Sequence, residues 1–229
     1  NAYVTHTSNS SSSVICCHPN LEGIWNGTTV YERGYDPAEM EKALEILEAV
    51  DGDSDYFEFD LVNTRRQVIT NRAPAIRERF TNAYKSGDRA AMVAASEDFL
   101  ALCDSLVEVV KMRPEFSLED WISDARSWGV TEEEKDYFEM NARTIITVWG
   151  DGYHLTDYAN REFDGLIETF YKVRWKMFFD AVIAAYDAGE PFVNLRTPRY
   201  KRTQEQMECV RALKFDEDIW DFECKWAHI

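Results

Sequence analysis

Apolar residues recur at helical spacing along most of the chain, and breaker residues cut the pattern into segments. Asp36-Pro37 opens the first segment: Asp36 can cap, and Pro37 suits the first helical position. Leu44, Leu47 and Val50, with Ala43 and Ile46, form its apolar face, and Asp51-Gly52-Asp53 ends it. A second run starts near Asp55 and reaches about Lys85, with Phe57, Leu61, Thr64, Val68 and Ile69 in register. Pro74 removes a backbone donor inside that run, which predicts a kink or break over Asn71 to Pro74. Ser86-Gly87-Asp88 reads as a turn and cap, and Ala91 to Met112 as a strongly apolar helix closed by Pro114. Ser117 to Asp120 and Thr131 to Glu134 both have the form of a capping box. The first starts a short helix carrying Trp121, Ile122 and Trp128 that stops at Gly129. The second starts a helix in which Phe138, Ala142, Ile145 and Trp149 keep helical spacing, which predicts Trp149 on the buried face.

A short loop follows, with Gly150 and Gly152, Tyr153 and His154, and aspartates at 151 and 157. Thr156 is expected to cap a helix running to Ala188, with Gly189 as its stop. Phe163, Leu166, Phe170, Tyr171, Trp175, Phe178, Phe179 and Val182 make that helix apolar nearly all round, so it reads as the buried central one. Pro191 to Pro198 is a connector, and Lys201 to Ile229 returns to helix, broken near Phe215. No alternating strand pattern stands out between 36 and 229. The expected fold class is all-α: six to seven mostly antiparallel helices around a long central helix. These occupy 36–229, and 1–35 form an irregular lead-in, read either as a surface tail or as the seam to a neighbouring domain.

Composition narrows the function classes. The 229 residues are 45% hydrophobic, enough for one sizeable core or two small ones. A formal net charge of -17 repels phosphate backbones, so no nucleic-acid partner is expected. No apolar run is long enough to span a bilayer, and no secretory hydrophobic region gives the chain an address. Five cysteines, without a close Cys-x-x-Cys pair, argue against a zinc site or a disulfide framework; Cys103 reads as a core thiol. The basic stripe Arg65, Arg66, Arg72, Arg77 and Arg79 reads as ion pairs to acidic neighbours, and Glu132, Glu133 and Glu134 as helix starters at the dipole's positive end.

Recognisable catalytic motifs are missing: no nucleotide-binding glycine loop, no His-Glu-x-x-His and no Gly-x-Ser-x-Gly. Asp151, His154 and Asp157 read as polar loop residues rather than metal ligands, and no metal or cofactor is expected. Trp149, Tyr153 and Tyr158 carry two readings. Aromatic faces stack on the apolar C–H face of a sugar ring, whose edge hydroxyls seek hydrogen bonds. The plainer reading is that Trp149 and Tyr158 fill core.

Four segments carry a family resemblance: Tyr56-Phe57-Glu58-Phe59-Asp60-Leu61-Val62-Asn63-Thr64-Arg65-Arg66-Gln67; Trp149-Gly150; Leu155-Thr156-Asp157-Tyr158-Ala159-Asn160-Arg161-Glu162-Phe163-Asp164-Gly165-Leu166; and Tyr171-Lys172-Val173-Arg174-Trp175. Together with Cys16-Cys17-His18-Pro19-Asn20-Leu21 upstream, they resemble the C-terminal helical domain of the alpha-N-acetylglucosaminidases, glycoside hydrolase family eighty-nine. The likeness covers about residues 14 to 229. The resemblance implies a parent protein with a small N-terminal α/β domain and a (β/α)-barrel. That barrel holds the two glutamates that remove terminal α-linked N-acetylglucosamine with retention. It implies no catalytic residue in this chain and no activity for the chain alone. By position it implies pocket roles for Trp149 and Leu155 as apolar contacts and Tyr158 as an aromatic, hydrogen-bonding wall, with weaker claims for His154 and Tyr153. The partners it implies are the barrel of the same polypeptide and the terminal sugar of a glycan, in an extracytoplasmic setting. Two other readings stand beside it: a helical protein-interaction module using the acidic surface or the Arg65–Arg79 stripe, and a self-contained α/α enzyme with converging carboxylates.

Overall fold

A computed structural model describes residues 13–21, 25, 26, 29, 30, 35–149, 156–193, 204 and 208–229. Among them the fold is all-α, apart from a two-residue antiparallel pair of β1 (Trp25–Asn26) and β2 (Thr29–Val30) in the lead-in. Helix α1 (Pro37–Glu48) starts as its sequence predicts, with the Asp36 carboxylate accepting from the Ala38 N–H. Its apolar face is only thinly covered. Met40 is buried, whereas Ile46 and Val50 are exposed, because α1 packs chiefly on one neighbour, α2 (Asp55–Thr70). The break expected before Pro74 is present: α2 ends at Thr70 and α3 (Ala73–Ser86) begins with proline in its first turn. Gly87, at φ 73°, closes α3 in the left-handed region, and Asp88 caps α4 (Arg89–Val110) through the Ala91 N–H.

Helix α4 is sunk deepest, burying Met92, Phe99, Leu102, Cys103, Leu106 and Val110. A 3-10 turn over Pro114–Phe116 leads to α5 (Leu118–Arg126), and then to α6 (Glu132–Ile146). Both predicted caps form. Ser117 accepts from the Asp120 N–H, and Thr131 and Glu134 exchange bonds as a full capping box.

The helix expected from Thr156 starts instead at Asp164. It runs without interruption through α7 (Asp164–Leu166), a π-helical segment (Ile167–Tyr171) and α8 (Lys172–Asp187). Residues 156–163 are turn and extended chain, since Asp157 sits at φ 65° and the side chains around it are tethered elsewhere. The break expected near Phe215 is absent. Helix α9 (Val210–Ala227) passes straight through it, and Phe215 packs on Phe178 and Phe192. The stretch around it holds neither Pro nor Gly, so nothing there breaks the helix.

Phe80, Phe99, Trp175, Phe178 and Phe179 form the aromatic heart between α3, α4 and α8, with ring centroids 4.4–6.0 Å apart. Residues 13–21 of the lead-in are built into this core instead of trailing over it as a surface tail. Val14, Ile15 and Cys16 are fully buried, and the Trp175 indole N–H donates to the Ile15 carbonyl at 2.9 Å. Removing two such aliphatic side chains from water favours the fold by about 1.5–3 kcal/mol each.

Candidate functional site

Helix α6 stops at Ile146, and Thr147 bends the chain at φ −129°, ψ −95°. The register expected through Trp149 therefore slips by one residue: Ile146 is buried and Ile145 exposed. Trp149 is not on the helix face at all. It sits at φ 64°, with its N–H on the Thr144 carbonyl at 2.7 Å. Across the loop, Tyr158 is 68% exposed, and its ring meets the half-buried Trp149 ring edge-to-face, centroids 5.1 Å apart at 73°. The pair lines an open corner and does not fill core. Leu155, His154 and Tyr153 lie outside the described residues, as does Asp151.

What holds Tyr158 outward is the chain on either side of it. The Asp157 N–H donates to the Thr147 carbonyl at 2.7 Å, tying the Tyr158 side of the loop to the Trp149 side. The Asp157 carboxylate accepts from Arg174 at 2.9 and 3.1 Å, so this aspartate is committed to an ion pair, not a metal. Among the described residues no cluster of three metal-ligating side chains exists. Asn160 donates back to the Asp157 carbonyl at 2.7 Å, closing the turn. Glu162 is gripped by Arg66 and by the Thr70 hydroxyl, the latter at 3.1 Å. Asp164 accepts from the Leu118 N–H at 3.0 Å, joining the start of α7 to the start of α5. Gly165 lies against Leu118, whose side chain an added Cβ would meet at 3.0 Å. From Thr156 to Leu166 the long motif is thus mostly scaffold, with Tyr158 as its exposed aromatic.

Arg174 is the hub of this scaffold. It is wholly buried and donates to Asp157, to Glu223 of α9 at 2.9 Å and to the Cys16 carbonyl at 2.8 Å. Its guanidinium lies 5.0 Å from the Phe170 ring and 5.3 Å from the Tyr171 ring. Burial pulls its pKa down, yet Asp157 and Glu223 together hold it above the usual arginine value, so it stays charged. Burial, the largest of several influences, pushes the neighbouring Cys16 thiol up to about 12, which leaves it inert at neutral pH.

Sequence reasoning gave no individual role to Arg174, Glu223 or Glu162. A signal for the first was available: an arginine inside an otherwise apolar helix must find buried carboxylates. Its partners could not be read, being 17 and 49 residues away. The basic stripe resolves as expected for three of its members: Arg65 pairs with Glu48, Arg66 with Glu162 and Arg79 with Asp98. Arg77 donates instead to the Asn20 carbonyl of the lead-in at 3.2 Å. A groove of about 740 Å³ between α5, α6 and α7 is lined by Arg126, Lys135 and Arg143, each already paired with glutamates of α6.

An all-α body with an aromatic pair at its surface and lead-in chain packed in its core defines a helical domain. The chain belongs to the alpha-N-acetylglucosaminidase (NAGLU) C-terminal domain family, whose family model matches residues 1–228. It is 33% identical over 138 residues to human alpha-N-acetylglucosaminidase, a match covering 59% of this chain and 18% of that protein. Its fold is similar to a family 89 glycoside hydrolase from Clostridium perfringens, solved as a variant in complex with its substrate GlcNAc-alpha-1,4-galactose. The TM-score is 0.79 at 30% identity, covering 96% of this chain and 24% of that one. A structure of a Clostridium perfringens family 89 glycoside hydrolase with PUGNAc gives a TM-score of 0.74 at 34% identity, over 81% of this chain and 22% of that one. The chain spans less than a quarter of the length of each of these relatives.

Proposed function

We propose that this chain is the substrate-side helical domain of a retaining, exo-acting alpha-N-acetylglucosaminidase that works outside the cytoplasm. In this reading residues 1–35 lead in from the catalytic domain and 36–229 form the helical domain. The bond-breaking glutamates stand in a (β/α)-barrel outside these residues, and the chain has no turnover by itself. Trp149 and Leu155 give apolar contact to the terminal α-linked N-acetylglucosamine, and Tyr158 supplies a wall that can also hydrogen-bond. His154 and Tyr153 are secondary contacts. No cofactor is called for: acid/base and nucleophilic work by two carboxylates suffices for glycoside cleavage.

The observation that carries this reading is the outward pose of Tyr158 beside Trp149. Tyr158 is 68% exposed, its turn is pinned by the bonds of Asp157, and its ring stands against that of Trp149, so two aromatic surfaces are presented together. The edge-to-face pair offers two ring surfaces at a steep angle, a shape suited to the apolar face and rim of a pyranose. The similar Clostridium perfringens enzyme was solved with GlcNAc-alpha-1,4-galactose, a substrate of the class this reading assigns to the corner.

The test is hydrolysis of an aryl α-N-acetylglucosaminide. This chain alone should release no nitrophenol; clear turnover would refute the division of labour. In the complete polypeptide, Trp149→Ala should lower kcat/KM about 10- to 100-fold, equivalent to roughly 1.5–3 kcal/mol of lost transition-state binding. An unchanged value removes Trp149 from the pocket.

A further inference from the structure

We propose that Arg174 and Asp157 are positioning residues for the sugar wall: their buried ion pair, anchored to the lead-in and to the last helix, fixes the orientation of Tyr158 and so sets the affinity for the terminal sugar. This inference rests on the sugar-pocket reading above and adds to it a device remote from the sugar itself.

Three observations converge. Asp157 occupies the left-handed region at φ 65° immediately before Tyr158. That uncommon conformation is held by two bonds of the residue: N–H to Thr147, carboxylate to Arg174. Any relaxation of Asp157 would swing the peptide that carries Tyr158. Second, Arg174 spends its donors on three separate stretches of chain, namely the turn at Asp157, the lead-in at Cys16 and α9 at Glu223. The turn thereby becomes rigid relative to two elements that come from opposite ends of the sequence. Third, the helix carrying Arg174 contains a π-helical segment at Ile167–Tyr171, an irregularity that recurs at functional sites. Its last two residues, Phe170 and Tyr171, flank the guanidinium.

Stability alone does not call for this arrangement. A buried ion cluster is frequently no more stabilising than apolar residues of the same volume. What it supplies is a single geometry, because each hydrogen bond is directional and none can be exchanged for water at 0% exposure. The defined geometry falls on the residue before the exposed tyrosine.

The experiment uses the complete polypeptide and an aryl α-N-acetylglucosaminide, with kinetics on folded protein. Asp157→Asn keeps the side chain's size and tolerates left-handed backbone while removing the charge. KM should rise about 5- to 30-fold with kcat within about 3-fold, because binding of the sugar is loosened while the distant acids are untouched. Tyr158→Ala should also raise KM. In the Asp157→Asn/Tyr158→Ala double variant KM should match Tyr158→Ala alone, since Asp157 acts through Tyr158. Two results overturn the proposal: a KM unchanged in Asp157→Asn despite a lower melting temperature, or factors that simply multiply in the double variant. Should Asp157→Asn not fold, Glu223→Gln removes the charge that α9 sets against Arg174 while leaving the Asp157 pair. It should raise KM about 2- to 5-fold, and an unchanged KM there counts against the proposal. If Trp149→Ala and Tyr158→Ala both leave KM and kcat/KM alone, the pocket reading itself has failed. That result is distinct from a failure confined to Asp157.

Discussion

Arg126 and Arg174 each gather several carboxylates, and they do so in opposite settings. Arg126, at the end of α5, donates to Asp136 at 2.7 Å, Glu139 at 2.8 Å and Glu132 at 3.2 Å. Asp136 and Glu132 stand largely in water. Arg174 holds Asp157 and Glu223 with almost no exposure of any of the three. The contact geometry is similar, but the alternative differs. If Arg126 lets go, water solvates every group; if Arg174 lets go, two carboxylates are left in a low-dielectric interior. The first network adjusts how α5 sits on α6. The second decides which conformations of the Tyr158 turn exist.

The sharpest way to break this comparison is Arg174→Met in the complete polypeptide. It fills the space but leaves Asp157 buried without its counter-charge and Glu223 with only His18 beside it at 3.9 Å, and should cost the helical domain about 3–5 kcal/mol in denaturant unfolding. A loss below about 1 kcal/mol would place Arg174 on a level with a surface pair. Next in size is Trp175→Phe. The ring stays buried, but the Ile15 carbonyl loses its donor, at a cost of about 1–3 kcal/mol. Limited proteolysis should then cut the lead-in around residues 13–21 sooner than in the wild type. Unaltered protection would mean that Arg174's bond to Cys16 holds the lead-in without Trp175.

How much of this contrast could be read from the sequence depends on range. The caps at Asp36, Ser117 and Thr131 and the break before Pro74 were legible, because a cap or a missing N–H acts within four residues. Trp149 and Tyr158 were legible as a pair flanking a loop, and they do meet. The start of the next helix was not legible. Thr156 looks like a cap, but Arg174 and Arg66 pull Asp157 and Glu162 into bonds that keep 156–163 out of helix. The slip at Trp149 has the same origin: the turn at Thr147 answers to Asp157 across the loop, not to the helical period. The burial of residues 13–21 was equally hidden. The short apolar run there reads like tail until Trp175 and Arg174 supply donors for its carbonyls. In each case a contact distant in sequence overrode a local preference.

The exposed side of the comparison predicts smaller effects. Arg126→Ala should lower the melting temperature only slightly, as expected for a pair that water can replace. The difference from wild type should fade at about 1 M salt, where screening reaches within roughly 3 Å. A penalty that survives high salt would show that Arg126 works by packing against the groove wall and not by charge.

The smallest effect is one of pH, and it belongs to the same exposed edge. Hydrogen bonds from the Val130 and Thr131 N–H groups hold the Glu134 carboxyl below its ordinary value, and Lys135 does the same for Glu132. A carboxylate whose folded pKa is depressed lends stability that is fully present above its unfolded pKa. That stability drains away as pH falls through the lower, folded value. The relevant window therefore opens below about pH 4.5, the ordinary glutamate range. Glu134→Gln removes the charge but keeps an oxygen that can still accept from one N–H of the capping box. Melting temperatures of wild type and Glu134→Gln should differ slightly at pH 6 and converge as the pH drops through that window, because protonation brings the wild type to the same neutral cap. If the gap widened on acidification, the charged form of Glu134 would not be the one the cap favours. The α6 start would then owe its stability to Thr131 alone.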